Sequence, residues 1–272
     1  MHHPASPASI AQSFARHWGL IKELVKRDFS SRYRGSAFGI AWILLVPLIF
    51  LVVYTVFFSG ILKARWLNEA SGSTVLFAVN LFAGLLLHMF LAECINRAPH
   101  LILSQPNYVK KVVFPLEIIP LVSVASSFVN LLISVLVLIA FCLFSGFGLH
   151  LTVFLVPVVF LPLVLFSLGV SAFLSSLGVY MRDVSQVTGF ISTILLFLSP
   201  VFFSSEMFPA DYRWLLNLNP LTLPIEQLRS VVIEGKGFGL VDWLCGFVVG
   251  LVSTCAGFAW FQKTRSGFAD VI

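Results

Sequence analysis

The stretch IIPLVSVASSFVNLLISVLVLIAFCLF, residues Ile118–Phe144, decides the fold class. It contains no Asp, Glu, Lys, Arg or His. A soluble helix of that length keeps a polar face for water, and this one has none. At a rise of about 1.5 Å per residue it reaches roughly 40 Å, enough to cross the ~30 Å hydrocarbon layer of a bilayer. Comparable runs lie on both sides: Ser36–Leu62, Thr74–Cys94, Leu151–Tyr180, Val187–Phe203 and Trp243–Phe261. They are unbroken rather than alternating in ~10-residue pieces, so they predict helices and not an outer-membrane barrel.

Composition agrees. The 272 residues are 58% hydrophobic and 11% charged, against roughly 45–50% and about 25% in soluble domains. Mean hydropathy is +0.98. Too little polar surface exists to cover a soluble globule. The net charge of +5 fits basic cytoplasmic loops better than a nucleic-acid surface. Cys94, Cys142, Cys245 and Cys255 have no metal spacing and sit in or beside apolar runs, as small hydrophobes do. The first ~35 residues lack the short apolar core of a cleaved signal peptide.

The expected architecture is an all-α integral membrane domain over residues 1–272. Residues 1–13 are read as loose. Residues 14–34 are read as an amphipathic interfacial helix, with Phe14, Trp18, Ile21, Val25 and Phe29 on one face and Arg16, Lys22, Lys26 and Arg27 mostly on the other. Residues 36–262 form a six-helix transmembrane bundle, and 263–272 a cytoplasmic tail. Between the fifth and sixth spans, Ser204–Leu240 is cut by Pro209, Pro220, Pro224 and glycines into pieces too short to cross, so re-entrant half-helices are expected there. With a cytoplasmic start, twelve of the 17 lysines and arginines fall inside, which places both termini in the cytoplasm.

Several chemistries lack their residues. The centres of the spans carry no Asp, Glu, Lys or Arg, and His88 alone is no proton relay and reads as a hydrogen-bonded packing residue. A passive or ion-driven channel or carrier would need ionisable pore residues. An integral glycosyltransferase would need a carboxylate cluster for metal and nucleotide sugar. There is no GxxxxGK[ST] loop, no HExxH and no GxSxG, so no catalytic or metal-binding residue is assigned. Uphill movement would draw its energy from another chain.

Four segments, in order, carry a family resemblance. They are RDFSSRYRGS at Arg27–Ser36 running into Gly39 and Trp42, PNYVKKVVFP at Pro106–Pro115, YMRDV at Tyr180–Val184, and RSGFADVI at Arg265–Ile272. The stretch from Ser199-Pro200 to Asn219-Pro220 also resembles the family's extracellular re-entrant region, with Pro200, Pro209 and Pro220 as its breaks. Together they resemble the ABC-2 exporter permeases, in particular the bacterial polysaccharide branch that exports O-antigen, capsule or teichoic acid. A drug or lipid ABC-2 exporter is the more distant alternative.

The resemblance implies an inner-membrane half-transporter: two copies of this chain, two copies of a separate ABC ATPase holding ATP and Mg, and a lipid-linked polysaccharide as cargo. It implies no cofactor on this chain. Lys110, Lys111, Phe114 and Pro115 fall where the family's ATPase-coupling segment lies, and Arg182, Asp183, Phe268 and Asp270 are expected to join it. The two lysines also fit as topology anchors. Arg32, Tyr33 and Arg34 are expected at a lipid diphosphate, since Arg grips phosphate through two parallel hydrogen bonds; they fit headgroup anchors equally. Trp42, Tyr54, Phe82 and Phe90 are the expected channel aromatics, on which sugar C–H faces can stack.

Overall fold

The computed structural model describes residues 7–57, 74–110, 114–146, 148 and 150–272. Within them the regular structure is helical. Helices α1 (Pro7–Arg16) and α2 (Trp18–Tyr33) come first, then α3 (Trp42–Tyr54), α4 (Thr74–Arg97), the short α5 (Pro106–Lys110) and α6 (Ile118–Phe144). After them come α7 (Val156–Tyr180), α8 (Val184–Phe197), α9 (Arg213–Leu218), α10 (Thr222–Val232), α11 (Leu240–Thr264) and α12 (Phe268–Val271). Four stretches are long and apolar enough to cross a bilayer: Val75–His100, Ile118–Phe144, Leu151–Tyr180 and Leu240–Val271. Trp42–Phe57 and Val184–Phe197 are apolar but shorter.

The helices run between two ends. The end of α4, the start of α6, and the ends of α7 and α11 meet at one pole. There Gly178 lies against Pro99, the Tyr180 hydroxyl donates to the Thr264 carbonyl at 2.7 Å, and Arg265 pairs with Glu117. At the opposite pole Thr152 donates to the Val231 carbonyl at 2.6 Å, and Trp243 Nε1 to that of Val158 at 2.8 Å. We call the first the basic pole, because Arg27, Arg32, Arg34, Arg97, Lys110, Arg182, Lys263 and Arg265 lie around it.

The closest helix pair is α7 with α11. A Cβ added at Gly257 would lie 2.0 Å from the Gly169 carbonyl oxygen, and one at Gly250 2.6 Å from that of Pro162. Only glycine lets the two backbones approach so far. In a bilayer, where lipid is as apolar as leucine, this close contact replaces the hydrophobic force that joins helices in water. Ser253 and Thr254 add hydrogen bonds from α11 to the Phe166 and Leu165 carbonyls of α7.

Some boundaries differ from the sequence expectation. Helix already covers residues 7–13, expected from the sequence to be loose. It is interrupted at His17, whose ring bonds the Ser13 carbonyl at 2.8 Å. Gly35, at φ +85°, turns the chain from α2 towards α3. Helix α8 starts at Val184 and stops at Phe197, short of the expected Phe203, because Ser199-Pro200 cannot continue it. The last long helix begins at Leu240 rather than Trp243. The end of the first expected span, 58–62, lies outside the described residues.

Candidate functional site

At the basic pole two acid–base pairs face each other. Asp28 and Arg32 lie one turn apart on α2, and Glu93 and Arg97 one turn apart on α4. Arg32 pairs with Asp28 at 3.0 Å and with Glu93, while Arg97 reaches Asp28 at 2.8 Å. Each acid thus touches both bases. Ser127 of α6 donates to Glu93 at 2.9 Å, and the Tyr33 hydroxyl to Asn130 Oδ1 at 3.2 Å, so α6 joins the cluster. Burial pushes the Asp28 carboxyl up, but the hydrogen bond and charge of Arg97, with the charge of Arg32 added, hold it below its ordinary value. Ile21 of α2 packs with Ile118 and Val122 of α6. The cluster locks the interfacial helix to two long helices.

A second constellation surrounds α5 and the start of α6. The Tyr108 and Phe114 rings stack at 4.3 Å, nearly parallel at 6°. Arg265 donates to Glu117 at 2.6 Å and to the Phe114 carbonyl at 3.0 Å, and Ser13 donates to the other Glu117 oxygen at 2.8 Å. Phe268 is completely buried, packed edge-on against Phe261 at 5.4 Å within a cluster that includes Leu101, Ile102, Leu116, Ile119 and Val179. Residues 265–272 therefore brace the 106–118 segment from behind.

These placements refine the sequence expectations. Phe268, expected against an ATPase, is interior to this chain. Phe114 is half-buried on Tyr108 and is not a projecting knob. The outward faces are instead Pro106, Asn107 and Lys110, with Arg182 and Asp183 exposed on the α7–α8 turn and Asp270 exposed nearby. Pro115 leads into α6. Lys111 lies outside the described residues. Arg32 and Tyr33 are committed to the cluster, whereas Arg34 is exposed and makes no hydrogen bond or ion pair with the described residues.

Among the expected channel aromatics, Phe82 and Phe90 need correction: both are core residues, Phe82 fully enclosed and Phe90 packed edge-on against Phe128 at 6.3 Å. Their helix, α4, is central to the bundle and keeps little exposed surface. Trp42 lines a cavity of about 180 Å³ with Tyr33, Phe90 and Glu93, and Tyr54 lies against Phe202. Exposed apolar faces lie on α3, α8 and α11, on α8 through Val187, Phe190, Ile194 and Phe197 and on α11 through Val241, Leu244, Val248 and Val252. Pro200 is buried, Pro209 exposed and Pro220 half-buried. His88 accepts the packing role read from the sequence, bonding the Ser192 carbonyl at 2.9 Å.

Sequence reasoning missed Arg229. It sits on α10 almost fully buried, and its guanidinium donates to the Asn80 carbonyl at 2.8 and 3.1 Å and to that of Val201 at 3.2 Å. It ties the segment between α8 and α11 to the middle of the bundle. Its mark in the sequence was an arginine beside Leu228, Val231 and Val232 in the stretch TLPIEQLRSVV.

The sequence that builds this bundle has relatives among known proteins. A family profile described as ABC-2 type transporter matches residues 19–233. The chain belongs to the ABC-2 type transporter family. That match takes in α2 through α10, hence both the acid–base cluster and the 106–118 segment. Within this family the chain is the membrane permease of an exporter, the ATPase being a separate subunit. It is 25% identical over 255 residues to an O-antigen export system permease protein RfbA of Klebsiella pneumoniae, covering 93% of this chain and 95% of that one. It is 24% identical over 265 residues to the RfbA of Myxococcus xanthus, covering 97% and 99%.

Proposed function

We propose that this ABC-2 chain is the transmembrane half of an ATP-driven exporter of lipid-linked polysaccharide, O-antigen in particular, across the bacterial inner membrane. The observation that carries the reading is similarity to O-antigen export permeases over nearly the whole chain. Two copies would form the pathway, with the exposed apolar faces of α3 and α8 available to the second copy and to lipid. Two ATPase subunits, holding ATP and Mg, would engage the basic pole through α5 and the α7–α8 turn.

In this reading α3, α4, α6, α7, α8 and α11 make six crossings with both termini cytoplasmic, supported by the arginines and lysines around one pole. The segment carrying α9 and α10 enters and leaves from the outer face, and its longest helix, 11 residues, is too short to cross. At the inner face Arg34 would meet the lipid diphosphate, while Arg32 and Tyr33 hold the helix that presents it.

The test is deletion of the gene in its own host. The expected result is loss of surface polysaccharide with lipid-linked polymer accumulating inside, restored by the wild-type gene. Unchanged surface polysaccharide would refute the cargo. The chemistry of the missing polymer separates O-antigen from capsule and teichoic acid.

A further inference from the structure

Two adjoining cavities lie between α7, α9, α10 and α11, towards the pole opposite the basic one. One, of about 260 Å³, has an apolar wall that includes Pro162, Phe166, Leu223 and Val249. The other, of about 450 Å³, includes Glu226 and Asp242. Asn217, Asn219, Leu223 and Cys245 line both, which makes them one groove with an acidic end and an apolar end.

The groove follows the direction in which the helices cross. Both α7 and α11 are long and apolar enough to span a bilayer, and both begin at this pole. Asp242 is in the first turn of α11, and Val249 lies seven residues on, about 10 Å deeper. Trp243 marks the level of the acidic end. Pro162 has no N–H to offer the Val158 carbonyl, and the Trp243 indole donates to it instead at 2.8 Å. Tryptophan at the end of a spanning helix belongs at headgroup level, so the apolar end of the groove lies within hydrocarbon. A polar end at the surface and an apolar end inside match a lipid better than a water-soluble ligand.

The acids of this groove are unpaired. Neither Glu226 nor Asp242 makes an ion pair or hydrogen bond with the described residues. Lys236 pairs with Glu234 at 3.0 Å, and Arg229, which attracts Glu226, directs its guanidinium to the Asn80 and Val201 carbonyls. Two carboxylates only accept hydrogen bonds, and a primary ammonium offers three N–H donors with the opposite charge. The Asn217 amide, in the same wall, can donate to a neighbouring phosphate oxygen. We propose that this groove binds a membrane aminolipid of the phosphatidylethanolamine type, its ammonium between Glu226 and Asp242 and an acyl chain along Phe166 and Val249. The proposal is independent of the exporter's cargo and needs only that α7 and α11 cross the bilayer.

The experiment titrates the full-length permease in neutral detergent with four probes, read by native mass spectrometry. They are phosphatidylethanolamine, its N-acetylated form, phosphatidylglycerol and water-soluble O-phosphoethanolamine. The wild-type protein is expected to bind phosphatidylethanolamine at least about tenfold more tightly than the two lipids without an ammonium, as loss of charged hydrogen bonds predicts. Joint Glu226→Gln and Asp242→Asn substitution should erase that preference. Val249→Trp enlarges a side chain that is already 58% exposed, so it obstructs the apolar end and leaves both acids in place. It should weaken phosphatidylethanolamine binding, and it keeps the test valid if the charge variant misfolds. Equal binding of the three lipids by the wild-type protein, or wild-type binding by both variants, overturns the proposal. Binding of O-phosphoethanolamine as tightly as the lipid also overturns it, since the acyl chain would then contribute nothing.

Discussion

Arg229 is a buried tie between α10 and the middle of the bundle. The hydrogen bonds described for it go to the backbone carbonyls of Asn80 and Val201, which need a guanidinium and ask nothing of those residues' side chains. Hydrogen bonds made by a charged donor contribute about 1.5–3 kcal/mol each where measured. Arg229→Met is therefore expected to destabilise the purified protein by about 2–3 kcal/mol, read as a lowered denaturant midpoint, with Arg229→Lys recovering part of the loss. Asp28 gives a pH signature at the other pole. Its folded carboxyl titrates below the ordinary value of 3.8, so its pairing stabilises α2 fully above that value and is lost as pH falls through the folded pKa. Hydrogen exchange in α2 should accelerate on acidification below about pH 4, and Asp28→Asn should show the fast exchange already at neutral pH.

Among the elements, α7 and α11 depend on the absence of side chains at their crossing. Gly257→Val would drive methyl groups into the Gly169 backbone, with no flexible atom able to yield. Overpacking of this kind costs about 1–3 kcal/mol or more, so the variant should reach the membrane in reduced amount and melt earlier, whereas Gly189→Ala, with open space at its Cβ, should behave as wild type. The ends of α6 and α7 were legible in the sequence, because apolar runs stop where loops must be polar; Ile118–Phe144 is helical over its whole expected length. The pairings were not. Arg32 meets Glu93 across 61 positions and Arg265 meets Glu117 across 148, and neither periodicity nor hydropathy links such distant residues. The i, i+4 spacings of Asp28–Arg32 and Glu93–Arg97 put each pair on one helix face but say nothing of whether the two faces meet. The enclosure of Phe82 was equally hidden, since a helix that is apolar on most of its circumference carries little pattern to distinguish its buried side from its lipid side.

At the level of the whole molecule, the proposed six-crossing arrangement would put Tyr108 and Ser145 on opposite faces of the membrane. A single cysteine at position 108 should react with an impermeant maleimide only from the cytoplasmic side, and one at position 145 only from outside. Reaction of both from one side would contradict the arrangement. The same frame predicts that Phe268→Ala, which empties a fully enclosed site, leaves insertion intact but frees the 106–118 segment, so that it becomes sensitive to added protease and the assembled exporter loses ATP-dependent transport. The brace formed by residues 265–272 also sets an order of events during synthesis. It follows α11 in the chain, so the described long helices can enter the bilayer while Tyr108 and Phe114 still lack their backing. In the proposed exporter the surface offered to an ATPase would then take shape only after these helices have inserted, and a chain that stalls before Arg265 would sit in the membrane without being able to draw on ATP.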